Sequence, residues 1–180
     1  KELNRQLKGI RKNLRFRKGN EQDLERIMEL VVDAQNWFRG QGIDQWQDGY
    51  PTREIIENDI ANNSNYVIEY NSIIVATSSI AFDGEPTYAT IYKGEWPNSN
   101  DYAVVHRIMV ADTMRRKGVA REILAFVERL CEERGVRDIR IDTHRDNRAM
   151  LAMLKKLGYR RCGTITLTSG ALREALHKEL

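Results

Sequence analysis

The stretch from Val104 to Gly135 narrows the possible folds more than any other. Val104 to Val110 is a mostly apolar run of strand length. It passes through Ala111-Asp112-Thr113-Met114-Arg115 into a segment with helical spacing, predicted over Arg116–Arg134 and closed by Gly135. A strand that turns quickly into a helix leaves unpaired N–H groups and the positive end of the helix dipole at the junction. Such a corner binds phosphate. Gly118 lets an anion approach the backbone, and Ala120 keeps a bulky side chain out of its way. Arg115, Arg116 and Lys117 stand where the dipole disfavours positive charge, and a bound anion would relieve that conflict. A dinucleotide-binding fold builds a similar corner, but its fingerprint needs three glycines early in a βαβ unit. Gly118 stands alone, past the midpoint of the chain.

The rest of the chain has the rhythm of an α/β protein. Leu3, Leu7, Ile10 and Leu14 form one stripe of an amphipathic helix, too short to be stable alone in water. Leu14–Lys18 alternates as a strand. Asn20 and Asp23 have the spacing of a helix cap before Leu24, Ile27, Met28, Val31 and Val32, and Gly40 and Gly42 end that helix. A second helix runs from Thr52 to about Asn62. Residues 65–70 and 73–82 form a hairpin across Asn71-Ser72. Asp83–Pro86 is a turn, and residues 87–101 read as a long loop of aromatic and acidic residues. Beyond the central helix come a strand (136–142), a helix (Asn147–Leu157, closed by Gly158) and strands at 159–167 and about 171–178. The order βααβββαβαββ predicts an α/β sandwich with a mixed sheet.

Composition excludes several classes. The chain has 180 residues, 41% hydrophobic and 31% charged, with three prolines and no low-complexity tract, which fits one domain of ordinary size. No apolar run has the length of a membrane span, and no apolar stretch follows the N-terminal charges as in a secretory signal. Cys131 and Cys162 have neither metal-ligand nor disulfide spacing. Free thiols, no metal and a cytoplasmic location are therefore expected. Net charge is +3, but Lys1, Arg5, Lys8, Arg11, Lys12, Arg15, Arg17 and Lys18 face only Glu2 in the first eighteen residues. Residues 1–13 are read as a basic amphipathic extension and residues 14–180 as the domain. The extension's charges are those of a solvated helix face; no segment looks like a groove-reading helix, so no nucleic-acid partner is expected.

Arg115-Arg116-Lys117-Gly118-Val119-Ala120 resembles the R/Q-x-x-G-x-G/A loop of the GNAT family of N-acetyltransferases. Asp146-Asn147-Arg148-Ala149-Met150 and Lys156-Leu157-Gly158-Tyr159-Arg160 resemble the family's second signature, an Asn-led helix ending in Leu-Gly-Phe/Tyr. The similarity spans Leu14 to Leu180. It implies a mixed, mostly antiparallel twisted sheet with a splayed strand pair, flanked by helices. It also implies acetyl-CoA as cofactor, direct acetyl transfer to a primary amine and, as is common in similar proteins, a homodimer. Ile108, Met109 and Val110 would bind the pantetheine arm like an added strand. Arg115, Arg116, Lys117, Gly118, Val119 and Ala120 would hold the pyrophosphate, and Asn147 would contact the pantetheine arm or acetyl end. Tyr159 would pack near the thioester.

Direct transfer requires an uncharged amine, a stabilised thioester oxygen and a protonated or solvated leaving thiolate. The oxygen's partner would be a backbone N–H at Met109 or Val110. Many family members have a tyrosine for the thiolate at the position of Leu154; here Tyr159, Tyr102 or water would take that role, or the acid is dispensable. His106 is the first candidate base, since imidazole accepts a proton near neutral pH, with Glu95 and Asp101 as rivals acting through water. Strand alternation places His106 with Ile108 and Val110. For the acceptor, Trp46, Tyr50, Tyr92 and Trp96 would box an alkylammonium, with Asp48 and Glu95 fixing its charge. A small-molecule amine is the expected substrate. A protein or peptide amine, or a non-catalytic acetyl-CoA-binding regulator, are the alternatives.

Overall fold

A computed structural model describes all residues, Lys1–Leu180. It has five helices, α1 (Glu2–Lys12), α2 (Leu24–Gly40), α3 (Arg53–Ala61), α4 (Val119–Arg134) and α5 (Arg148–Lys156). Its seven strands are β1 (Leu14–Lys18), β2 (Asn65–Tyr70), β3 (Ile73–Ala81), β4 (Ala103–Val110), β5 (Asp138–Thr143), β6 (Arg160–Thr166) and β7 (Leu172–Glu179). The sheet order is β1-β2-β3-β4-β5-β7-β6. Pairing is antiparallel for β1–β2, β2–β3, β5–β7 and β6–β7, and parallel for β4–β5. The mixed, mostly antiparallel sheet flanked by helices is the fold class that the sequence predicts. No helix is long and apolar enough to cross a membrane. Both cysteines are free thiols, Cys131 buried and Cys162 half-buried.

The chain divides into two compact units. The first joins Lys1–Ile80 to Arg107–Phe126, and the second joins Ala81–His106 to Val127–Leu180. In the first, Asn20 and Asp23 form a capping box: the Asn20 side chain accepts from the Gln22 amide, and Asp23 accepts from the Asn20 amide. Ile27, Leu30, Val31 and Ala34 of α2 recur at helical spacing and pack on Ile56, Val67, Ile74, Met109 and Ala111. A second cluster holds Ile68, Val75, Ala76, Met114, Val119 and Ile123, with Ile10 and Leu14 packed against it. Neighbouring residues such as Val67 and Ile68 serve different clusters, as strand alternation requires. Register steps from Ile68↔Ala76 to Glu69↔Ile74, leaving Val75 as the extra residue of a bulge. The Val75 carbonyl accepts from the Ala111 amide at 2.8 Å, tying down the end of β4.

Arg107 departs from the expected regular strand. Its φ of 54° is left-handed, so alternation cannot be counted through it from His106 to Ile108. Its guanidinium donates to both Asp59 oxygens, at 2.7 and 2.6 Å, and to the Tyr50 hydroxyl at 2.8 Å. The pair is largely buried, and its forked geometry is the strong form of a charge-assisted bond.

In the second unit, Tyr88, Val104, Ile165 and Ala175 form a cluster with Ile91, Trp96, Tyr102 and Leu167 packed against it. The 87–101 segment, expected as a free loop, is pinned along its length. Tyr92 exchanges two 2.8 Å backbone bonds with Thr164 of β6. Gly94 and Gly163 make this approach possible, since a Cβ on either would lie 1.9 Å from the Cys162 carbonyl oxygen or 2.5 Å from that of Tyr92. Farther on, Asn98 and Asn100 donate to Asp138, which also accepts from His177 at 2.8 Å. Arg140 stacks on Trp96 and Tyr102 and donates to the Asn98 carbonyl. The parallel β4–β5 ladder covers Ala103–Val105 opposite Ile139–Ile141.

Replacing Asp59 with alanine leaves the Arg107 guanidinium buried without a carboxylate. The expected loss is about 3 kcal/mol of unfolding free energy, read from a urea denaturation midpoint with an unchanged slope.

Candidate active site

In the first unit, α4 begins at Val119, three residues later than the sequence suggests. Arg116 and Gly118 both have left-handed φ, 60° and 82°, and neither can belong to a right-handed helix. Arg115–Gly118 therefore form the turn itself, and the three cations precede the helix. The Glu122 amide bonds to the Gly118 carbonyl at 3.1 Å and closes the first helical turn. Amides before Glu122 at this helix head have no acceptor within the helix. Met114 and Val119 are buried in the core on either side, so the turn is held at both ends.

The Arg115 guanidinium donates to Asp112 at 2.7 Å and lies 5.0 Å from the centre of the Trp37 ring. One of its terminal nitrogens is buried with no hydrogen-bond partner. A Cβ on Gly118 would lie 2.8 Å from Arg11 Nε and 2.9 Å from Arg11 Nη2, and that Nε is also buried without a partner. A glycine turn with an unpartnered Arg11 nitrogen over it, and with Arg115 earlier in the same turn carrying a second nitrogen without an acceptor, fits a phosphate-bearing group. Of the strand residues assigned to the pantetheine arm, Met109 is buried, whereas Ile108 and Val110 are half-buried in the cluster that contains Val119. Of the acceptor residues, Trp46 and Tyr50 stand together with ring centroids 6.0 Å apart. Their loop is braced on α2, because Gln47 donates to the Gln35 carbonyl and Gln35 to that of Tyr50. Asp48 is exposed and accepts from the Tyr50 amide at 3.3 Å.

In the second unit, His106 Nε2 lies 3.0 Å from Glu85 Oε2, and its Nδ1 lies 3.9 Å from Asp142 Oδ2. The Tyr88 hydroxyl donates to the same Asp142 oxygen at 2.6 Å. The hydrogen bond to His106 holds the Glu85 carboxyl down to about 2 despite partial burial, and Thr87 adds to this with its amide and hydroxyl. An ionised carboxylate only accepts, so the imidazole proton sits on Nε2 and the lone pair of neutral His106 belongs to Nδ1. Burial, with Asp142 beside it, pushes the Tyr88 hydroxyl well above its ordinary range, keeping Tyr88 a neutral donor.

Other predicted residues stand differently. The Trp96 ring packs into the second unit's core and stacks on Arg140, and its N–H is used by the Tyr88 carbonyl at 2.9 Å. Tyr92 is exposed but fixed through its backbone, and Glu95 is exposed in the following turn. Asn147 is buried and caps α5, accepting from the Met150 amide and donating to Thr143. Tyr159 is buried, its hydroxyl lacks a hydrogen-bond partner, and burial raises its ionisation. Leu154 is fully buried in the core.

Glu85, Tyr88 and Asp142 were not singled out from the sequence. A local signal existed for Glu85: Glu-Pro-Thr is the pattern of an acidic cap with proline at the first helical position, and Glu85 does cap the one-turn helix Pro86–Tyr88. Its meeting with His106, twenty-one positions away, is a tertiary fact with no local signature.

A family model described as Acetyltransferase (GNAT) family matches residues 31–159. A GNAT-family acetyltransferase from Streptococcus agalactiae is 33% identical in a superposition covering 93% of this chain and 95% of that one, with TM-score 0.83. One from Listeria monocytogenes is 21% identical over 93% and 95%, with TM-score 0.73. A PaiA N-acetyltransferase from Thermoplasma acidophilum, solved in complex with coenzyme A, shares 16% identity over 93% and 99%, with TM-score 0.68. No match to a curated protein is found. The family model covers well over half of the chain and the identity to the streptococcal protein extends along nearly all of it, so the chain belongs to the GNAT family of acetyl-CoA-dependent acetyltransferases.

Proposed function

We propose that this acetyltransferase acts on a small primary amine, with His106 as base, and that the His106–Glu85 pair is the observation that carries the reading. Bound acetyl-CoA supplies an activated acetyl thioester. The turn Arg115–Ala120 holds its diphosphate, and Ile108–Val110 align the pantetheine arm by backbone bonds. A backbone N–H at Met109 or Val110 stabilises the thioester oxygen as negative charge develops on it.

His106 Nδ1 takes the first proton from the acceptor ammonium and passes it to solvent. Ionised Glu85 holds the ring by Nε2, and Asp142, itself anchored by Tyr88, faces the imidazolium that forms. A positioned base with an orienting carboxylate is the general form of such catalysis. The amine nitrogen then bonds to the acetyl carbon as the carbon–sulfur bond breaks, and its second proton passes to His106 and through solvent replaces the one that Tyr159 gives up. A neutral Tyr159 hydroxyl, kept protonated by burial, donates a proton to the departing sulfur. Support for a small acceptor comes from the braced loop of Trp46 and Tyr50 with exposed Asp48, two aromatic rings and one acid on a rigid support. Tyr92 adds an exposed ring in the second unit.

Thiol release measured against a panel of small amines and of peptides tests the substrate class. Turnover is expected with an alkylamine, and activity confined to peptides overturns the small-amine reading. In the pH–rate profile of kcat/KM, His106→Ala should flatten the acidic limb, and Glu85→Gln should move it to lower pH because the imidazolium loses its partner. An unaltered limb in both removes His106 from the mechanism.

The depressed Glu85 carboxyl also has a stability consequence. Its contribution is complete above the ordinary value of 4.5 and is lost as pH falls towards about 2. The wild type should therefore lose more stability than Glu85→Gln across that window in acid denaturation. Gly118→Trp should abolish coenzyme A binding by calorimetry while far-UV circular dichroism stays native. Unchanged affinity would refute the diphosphate assignment.

A further inference from the structure

The basic N-terminal helix lies outside both family signatures, yet α1 does not stand apart from the first unit. Its apolar stripe is engaged at one end only. Ile10, with Leu14 just beyond the helix, packs against the cluster containing Met114, Val119 and Ile123, whereas Leu3 is 67% exposed. Docking is thus concentrated at the turn that carries Arg11, and the surface it meets is the head of α4.

Among the basic residues of α1, Arg11 is the exception in its surroundings. Lys1, Arg5, Lys8 and Lys12 are exposed, as a solvated helix face requires, but Arg11 is half-buried. Its guanidinium lies over Gly118, close enough that a Cβ there would meet two of its nitrogens within 3 Å, and its Nε is buried with no acceptor. A buried donor left unpaired costs about 1–3 kcal/mol, more for a charged group. Arg115, three residues before Gly118, likewise has a buried nitrogen without a partner. Arg116, Lys117 and the α4 dipole add positive charge at the same turn. Cations are not gathered there by their own attraction, so the arrangement is stable in proportion to the negative charge it receives. A guanidinium presents a planar fork suited to phosphate oxygens, which a lysine in its place would not match.

We propose that Arg11 is a ligand of the cofactor's diphosphate, so that the N-terminal helix completes the phosphate site at Gly118. The assignment rests on the reading that the Arg115–Ala120 turn binds that group. It makes α1 part of the cofactor machinery instead of a solvated appendage.

The test uses the full chain with Arg11→Met, which keeps an apolar stem for packing, and Arg11→Lys, which keeps the charge. Melting temperature and far-UV circular dichroism establish that each is folded. Calorimetry then measures coenzyme A and dephospho-coenzyme A, and S-acetylpantetheine, which has no phosphate, is compared through kcat/KM. Arg11→Met should weaken both phosphate-bearing ligands about ten-fold, leave S-acetylpantetheine unchanged and reduce the salt dependence of binding. Arg11→Lys should recover part of the loss. Unchanged or tighter coenzyme A binding would overturn the proposal, the latter showing that Arg11 blocks the turn. A loss shared by S-acetylpantetheine would mean a structural role, and one confined to coenzyme A would move Arg11 to the 3′-phosphate; both sink the diphosphate assignment. Failure of the underlying reading looks different: Gly118→Trp would then bind normally, whereas loss there with none in Arg11→Met rejects Arg11 alone.

Discussion

The left-handed backbone of Arg107 is the constraint on which the chemistry of β4 depends. A non-glycine residue in that conformation costs on the order of 1–3 kcal/mol and persists only where its surroundings over-determine it. Here they do: Asp59 takes the guanidinium in both oxygens, and the Tyr50 hydroxyl accepts from its remaining arm. The kink falls between His106, which engages Glu85, and Ile108–Val110, the segment assigned to the pantetheine arm. A regular strand would impose strict alternation across these five residues. The left-handed backbone at Arg107, held by the ion pair, interrupts that alternation.

Local chemistry was legible wherever one residue type settles a backbone choice. Asn20 with Asp23, Thr52 before α3, Asn71-Ser72 in the hairpin and the glycines after α4 and α5 all mark element ends close to where the structure has them. Their signals lie within four residues and need no tertiary partner. The start of α4 was misplaced because helical periodicity continues back through Arg116, whereas the backbone there is left-handed. Nothing in an arginine side chain announces a positive φ. The long 87–101 segment looked like a loop because its anchors, Thr164, Asp138 and Arg140, come much later in the chain.

The candidate site divides along the same line. The turn assigned to the diphosphate is a contiguous motif within Arg115–Ala120. The support of His106 is not contiguous, since Glu85 and Asp142 flank it from positions twenty-one residues before and thirty-six after. Trp96 has a partner that the sequence does not announce. An aromatic residue in an acidic loop suggested a cation-binding ring, and it does stack on a cation, but the cation is the chain's own Arg140. Leu154 could be read as a departure from the family, but its fully buried position adds the physical reason. A hydroxyl there would need a partner inside an apolar core, whereas Tyr159, a few residues on, brings a buried hydroxyl without one.

Charge in this chain is sorted by the chemistry it must meet. The first unit collects Arg115, Arg116, Lys117 and Arg11 about one helix head, and among them Arg11 and Arg115 each bury a guanidinium nitrogen without an acceptor. The second unit collects Glu85 and Asp142 about one imidazole, with the Glu85 carboxyl held ionised by that imidazole. A diphosphate and an ammonium, the ligands proposed for the two groups, need opposite partners, and neither group of side chains would suit the other's ligand. The net charge of +3 comes from the basic first eighteen residues, and the rest of the chain is mildly acidic. Its small size conceals an arrangement in which cations gather about one helix head and carboxylates about one imidazole.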